Sequence, residues 1–371
     1  MKKLSKILAL LLAVMVVAAM ALPVSAFADY SVTGTSTTFV KNLVMDADAN
    51  VPNATFSFTV APGTAVAASE GKAAVLAGIG TPTIADVTFA VGDSTTAGLP
   101  SDEAGSTTEG KKYASKTATV DFSGITFTEP GIYRYIVTET ATTNLGVTND
   151  STATRTLDVY VIDTDGVLSV ASYVLYSGTY EPATGTGTAT EPTGKNDSYD
   201  NEYDTSNLSF SKTVTGNQGS RDKYFKFTVE ITGAVAGTVY TVDLSNADGT
   251  VGSNAATKSD YVGKTNPASL TVGADGTVTG EFYLHHGQSI TIKGLAKGTS
   301  YTITEENEDY TVTKSNDSGT IASEDITAAF TNNRSGLVPT GVMLTIAPFA
   351  AILLIGAVGI VVMLTKKKRA E

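Results

Sequence analysis

The chain has 371 residues, a formal net charge of −12, no cysteine and two histidines. Without Cys there is no disulfide, no thiolate nucleophile or metal ligand, and no thioester. His285 and His286 stand side by side, so a Ser-His-Asp site or a multi-His metal centre is hard to assemble, and neither a metal nor a cofactor is expected.

At the start of the chain, Lys2, Lys3 and Lys6 precede an apolar run over 7–21, and Val24-Ser25-Ala26-Phe27-Ala28 offers small residues for cleavage. This is the pattern of a secretory signal peptide, with cleavage after Ala28 or, alternatively, after Ala26, so residues 1–28 are set aside from the fold. That segment holds three Lys, and the segment after Thr340 holds three Lys, one Arg and one Glu. Removing +3 at each end leaves −18 for the part between. A body this acidic is soluble and a poor partner for nucleic acid or an anionic membrane.

The roughly 310 residues between the two ends suit two domains. They are rich in Thr, Val, Ser, Gly and Tyr, and alternating stretches recur over 54–60, 117–122, 133–138, 156–162, 226–231, 289–292 and 301–304. Gly, Asn and Asp separate them, and no long 3.6-residue period appears outside the terminal segments, which predicts an all-β fold of sandwiches. The expected division is 29–202 and 203–333, with 334–371 as a separate tail.

An internal repeat runs through the two units. Each opens on a strand with a Lys in its middle, Phe39-Val40-Lys41-Asn42-Leu43 and Phe210-Ser211-Lys212-Thr213-Val214. Tyr135-Ile136-Val137-Thr138-Glu139 is then matched by Tyr301-Thr302-Ile303-Thr304-Glu305, and each unit closes on an aromatic-x-Asn strand, Tyr199-Asp200-Asn201 and Phe330-Thr331-Asn332. Alternate strand residues share a face. Lys41, Glu139, Asn201, Lys212, Glu305 and Asn332 therefore point to the core with their apolar neighbours, while Asn333 points away. Buried charges must pair or neutralise. One reading is a Lys–Glu ion pair hydrogen-bonded to Asn in each unit. The other is a Lys–Asn isopeptide bond. Desolvation lowers the Lys pKa and raises that of Glu, leaving an amine nucleophile beside an acid that can polarise the Asn carbonyl and shuttle protons.

Two loops are weighed and set aside. His285 and His286 lead into Gly287-Gln288-Ser289 and read as a polar turn, and the acidic loop 246–249 lacks the ligand density of a Ca²⁺ site. At the far end, Leu337, Val338, Pro339, Thr340 and Gly341 lead into an apolar run over 343–364, closed by Lys366-Lys367-Lys368-Arg369. Such a run is long enough to span a bilayer with its basic end on the cytoplasmic side.

These features carry two resemblances. The Pro-Thr-Gly element, apolar helix and basic tail resemble the sorting signal of Gram-positive surface proteins, in which a sortase cleaves between Thr and Gly. The whole chain resembles the two-domain backbone pilin of streptococci, the T-antigen type. The resemblance implies two Ig-like domains of the collagen-adhesin B kind, each locked by an autocatalytic isopeptide bond: Lys41–Asn201 with Glu139, and Lys212–Asn332 with Glu305. It implies a sortase-built covalent homopolymer on the cell wall, with minor or tip pilins, peptidoglycan and host-surface ligands as further partners. The Val-Pro-Thr-Gly register departs from the common Leu-Pro-x-Thr-Gly form and resembles that of pilus-building sortases. The acceptor Lys in that family lies in a loop before the last strand of the first domain. Here Lys195 stands at that place, after a Thr/Gly/Pro-rich stretch over 177–194, with Lys111 and Lys112 in reserve. A monomeric wall-anchored adhesin or stalk is the alternative; it requires Thr340 but not Lys195.

Overall fold

The computed structural model describes residues 34–69, 72–100, 110–179, 193–251, 261–306 and 309–336, and every regular element among them is a strand. The leader at 1–28, the motif Leu337–Gly341 and the apolar run over 343–364 lie outside the described residues. Within them no helix is long and apolar enough to cross a membrane.

The first half contains β1 (Ser36–Asp46), β2 (Ala54–Phe56), β3 (Phe58–Pro62), β4 (Val75–Ala77), β5 (Thr83–Ile84), β6 (Val87–Phe89) and β7 (Thr95–Ala97). It continues with β8 (Lys111–Asp121), β9 (Gly131–Glu139), β10 (Val147–Thr148), β11 (Thr154–Thr164), β12 (Val167–Ser177), β13 (Thr193–Lys195) and β14 (Ser198–Tyr203). The second half contains β15 (Thr205–Thr215), β16 (Phe225–Thr232), β17 (Val239–Ser245), β18 (Ser269–Thr271) and β19 (Val278–Leu284). It ends with β20 (Ser289–Ala296), β21 (Ser300–Glu305), β22 (Thr311–Ser315), β23 (Ser318–Thr320) and β24 (Ile326–Asn333).

Each half is a two-sheet sandwich. In the first, the order β10-β14-β1-β8-β5 faces β13-β12-β11-β9-β3; in the second, β18-β17-β20-β15-β24-β22 faces β19-β16-β21-β23. Among the described residues no strand pair joins the halves. The alternating sequences explain the layers: in β15 the burial alternates residue by residue, with Leu208, Phe210, Lys212 and Val214 inside. The stretch 54–60 reads as one strand but serves two sheets. Residues 54–56 pair with β6 and 58–62 with β9, while Phe56 and Phe58 both stay inside because the alternation is unbroken.

The first core is aromatic. The rings of Phe39, Phe58 and Tyr199 meet with centroids 5.1–5.2 Å apart, and the Tyr199 hydroxyl donates to the Val137 carbonyl at 2.9 Å. The β11–β12 hairpin turns on Asp165 and Gly166, both in the left-handed region at φ 54° and 88°, the pairing that matches a two-residue turn to strand twist.

The halves also touch. Asn50 Nδ2 donates to the Val239 carbonyl at 2.7 Å, Asn53 Nδ2 to that of Ala236 at 2.9 Å, and Thr205 Oγ1 to Asp46 at 2.9 Å. Gly294 sits so close to Ala49 that a Cβ on it would lie 2.8 Å from the Ala49 Cα.

Two buried lysine centres

In both halves the first strand pairs in parallel with the last, β1 with β14 and β15 with β24. The registers agree. Lys41 lies opposite Tyr199 and Leu43 opposite Asn201; Lys212 lies opposite Phe330 and Val214 opposite Asn332. Each Lys and its Asn are therefore diagonal neighbours on one inward face, a separation a lysine side chain spans easily. The Glu arrives from the facing sheet, Glu139 at the end of β9 and Glu305 at the end of β21.

In the first centre, Lys41 Nζ lies 2.6 Å from Asn201 Oδ1, 3.0 Å from Glu139 Oε1 and 3.2 Å from the Tyr199 carbonyl oxygen. In the second, Lys212 Nζ lies 2.5 Å from Glu305 Oε1, which also accepts from Asn332 Nδ2 at 3.0 Å. Here the carboxyl meets the amide nitrogen, whereas the sequence argument had it polarising the carbonyl. Lys41, Asn201, Lys212 and Asn332 are at most 1% exposed, and the two Glu side chains at most 3%.

Burial sets the protonation states. Desolvation pushes Lys41 below the usual lysine value against the opposing pull of Glu139, and pushes Lys212 down to about 8 against that of Glu305. Desolvation likewise raises Glu139 and Glu305 above the usual carboxylate range, with their lysines pulling the other way. A neutral amine beside a protonated carboxyl is thus within reach at moderate pH. Such a pair can carry out nucleophilic attack on the amide with proton transfer through the acid.

Sequence reasoning passed over the groups that enclose the amines. The Phe56 ring lies 4.6 Å from Lys41 Nζ and the Phe225 ring 4.3 Å from Lys212 Nζ. A repeated Phe-x-Phe, Phe56-Ser57-Phe58 and Phe225-Lys226-Phe227, was the available signal. Arg155 and Asp150, beside the first centre, were also missed.

Lys195 differs in setting from the expected loop. It ends the short edge strand β13, opposite Tyr176 of β12, and its side chain is exposed. Lys111 is held by Asp46 at 3.0 Å and Glu202 at 2.7 Å, and Lys112 neighbours it in β8. His286 Nδ1 accepts the Val214 N–H at 3.0 Å, and the His285 ring stands edge-on to Tyr224 at 4.9 Å. In the acidic loop, Asp248 accepts the Tyr224 hydroxyl at 2.7 Å.

Comparison with known proteins covers both halves. Residues 37–204 match the Spy0128-like isopeptide containing domain, and residues 206–334 match a domain of unknown function, DUF7601. A pilin of Streptococcus pyogenes serotype M1 is 28% identical over 362 residues, covering 91% of this chain and 92% of that one. The crystal structure of the major pilin from Streptococcus pyogenes superposes with a TM-score of 0.53 at 25% identity, over 82% of this chain and all of that one. The T3.2 major pilin of the same species, at 20% identity and a TM-score of 0.51 over 82% of this chain and 99% of that one, shares the fold. With its first half matched to the isopeptide-containing family and its whole length aligned to a pilin, the chain is similar to the streptococcal backbone pilins.

Proposed function

We propose that this protein is the shaft subunit of a covalent cell-surface pilus, stabilised by one Lys–Asn isopeptide bond in each of two domains, 29–202 and 203–333. The observation that carries the reading is the duplicated buried cluster of Lys, Glu and Asn on a parallel first-and-last strand pair. In each centre the neutral lysine attacks the Asn Cγ, the glutamic acid relays the proton to the amide nitrogen, and ammonia leaves. The bonds are Lys41–Asn201 assisted by Glu139, and Lys212–Asn332 assisted by Glu305.

Export through the leader at 1–28 and retention by the apolar run at 343–364 deliver the subunit to the outer membrane face. A pilus sortase then cleaves between Thr340 and Gly341 of the Leu337-Val338-Pro339-Thr340-Gly341 motif and passes the Thr340 carbonyl to Lys195 of the next subunit. The exposed amine at the edge of the sheet suits access by an enzyme. Peptidoglycan receives the last subunit, and minor pilins complete the fibre.

A denaturing gel of boiled cell-wall extract, probed with antibody to the protein, tests the reading. A ladder of evenly spaced heavy bands is expected, and Lys195→Ala removes the ladder while leaving the monomer. A single band near monomer mass, with the sortase expressed, returns the protein to a wall-anchored monomer.

A further inference from the structure

Asp150 lies in the turn between β10 and β11. Its backbone N–H donates to Asn201 Oδ1 at 3.0 Å, the same oxygen that lies 2.6 Å from Lys41 Nζ. Its carboxylate is anchored on three sides. Oδ2 accepts Arg155 Nη2 at 2.7 Å and the Asp200 N–H at 2.9 Å, and Oδ1 accepts the Thr152 N–H at 2.7 Å.

Arg155 is 1% exposed, and its guanidinium lies 4.4 Å from the centroid of the Tyr199 ring. Its Nε and Nη1 have no hydrogen-bond partner among the described residues. Burying those N–H groups is costly, and the ion pair with Asp150 sets against that cost. In the second centre the matching oxygen, Asn332 Oδ1, is buried without a hydrogen-bond partner among the described residues. The clamp belongs to the first centre.

We infer that the backbone N–H of Asp150 is the oxyanion donor of the Lys41–Asn201 centre, and that Arg155 is the positioning residue holding it in place. The inference rests on the reading that Lys41 and Asn201 become joined. In that step neutral Nζ forms a bond to Cγ of Asn201, and the carbonyl pair moves onto Oδ1, where the Asp150 N–H meets the new charge. The Nζ proton passes through Glu139 to Nδ2, the pair returns from Oδ1, the Cγ–Nδ2 bond breaks and ammonia departs. No oxidant or reductant is involved. One positioned donor of this kind is worth about 10²–10³ in rate. The Asp150 charge also disfavours ionisation of Glu139, a lesser effect than its desolvation.

The test uses the full chain made by cell-free synthesis, quenched in acid at intervals and digested. Mass spectrometry then counts the Lys41–Asn201 and Lys212–Asn332 crosslinked peptides, the second serving as an internal clock. Asp150→Ala is expected to slow the first crosslink at least about tenfold against the clock. Asp150→Asn, which keeps one acceptor oxygen on the turn and replaces the other with a donor, is expected to fall between Asp150→Ala and wild type. Equal rates for Asp150→Ala and wild type overturn the proposal. If Asp150→Ala loses trypsin resistance and so fails to fold, Arg155→Lys decides. A slower first crosslink in a resistant chain supports the proposal, and an unchanged rate overturns it. A wild-type chain that never forms the first crosslink removes the crosslinking reading itself, so the two failures are told apart.

Discussion

Lys41 and Lys212 are amines from which water has been removed, each facing a carboxyl that has lost water too. Breaking such a pair costs about 3–5 kcal/mol when one partner is deleted, so its members need a chemical use or a compensating bond. If each Glu relays the proton, Glu139→Ala and Glu305→Ala each leave one domain uncrosslinked. The intact mass of each variant then exceeds that of the doubly crosslinked chain by about 17 Da, after allowing for the substitution. An unchanged mass would mean the Glu is dispensable. The pH dependence follows from Lys212, which is lowered to about 8. Its neutral fraction grows as pH rises, while the raised Glu305 keeps the acid form present at the lower end. Time courses should therefore show the Lys212–Asn332 bond forming faster as pH climbs toward about 8; a rate that falls over that range counts against the neutral amine as nucleophile. The inward direction of all six polar residues was legible from strand parity alone. Asp150 was not, because its part is played by a backbone N–H in a turn, which no side-chain pattern records.

At the level of the strands, the parallel pairing of first with last strand turns a repeat in sequence into a repeat in space. Lys and Asn stand 160 positions apart in the first half and 120 in the second, 212 to 332. A covalent closure over such loops stabilises a domain by about 5 kcal/mol on the chain-entropy model. The junction between the halves depends on a different feature, close backbone approach. Gly294 has φ 72° and meets Ala49, whereas Gly233 has φ 74° and would meet nothing within 4 Å. Either Gly→Ala change pays the left-handed backbone cost of about 1 kcal/mol. Gly294→Ala adds a clash between the halves and should be the worse by about 1–3 kcal/mol in calorimetric unfolding; equal values would show that the junction yields freely. The alternating sequence announced strands, but the division of 54–60 between two sheets depends on partners far along the chain, β6 and β9.

Across the whole molecule, the proposed crosslinks fix where tension travels. If Lys195 is the point of entry, load passes along β14 and into β15, crosses from Lys212 to Asn332, and leaves through the C-terminal tail. The strands between Lys212 and Asn332 carry none of it. The first half hangs outside this path, because Lys195 precedes Asn201 by only six positions and the chain then runs through β14 directly into β15. Single-molecule stretching between residue 195 and the tail should therefore find Lys212→Ala extensible and Lys41→Ala as stiff as wild type. Extension in both variants would place the point of entry elsewhere. The sequence by itself determined the all-β character, the inward parity of the buried Lys, Glu and Asn residues and the acidic, Cys-free body, because each is a local or compositional property. Only the tertiary structure decided the parallel strand register that makes each Lys and Asn diagonal neighbours, the aromatic enclosure of the amines and the clamp on Asp150. These are contacts between segments distant in the chain, fixed by sheet pairing and packing.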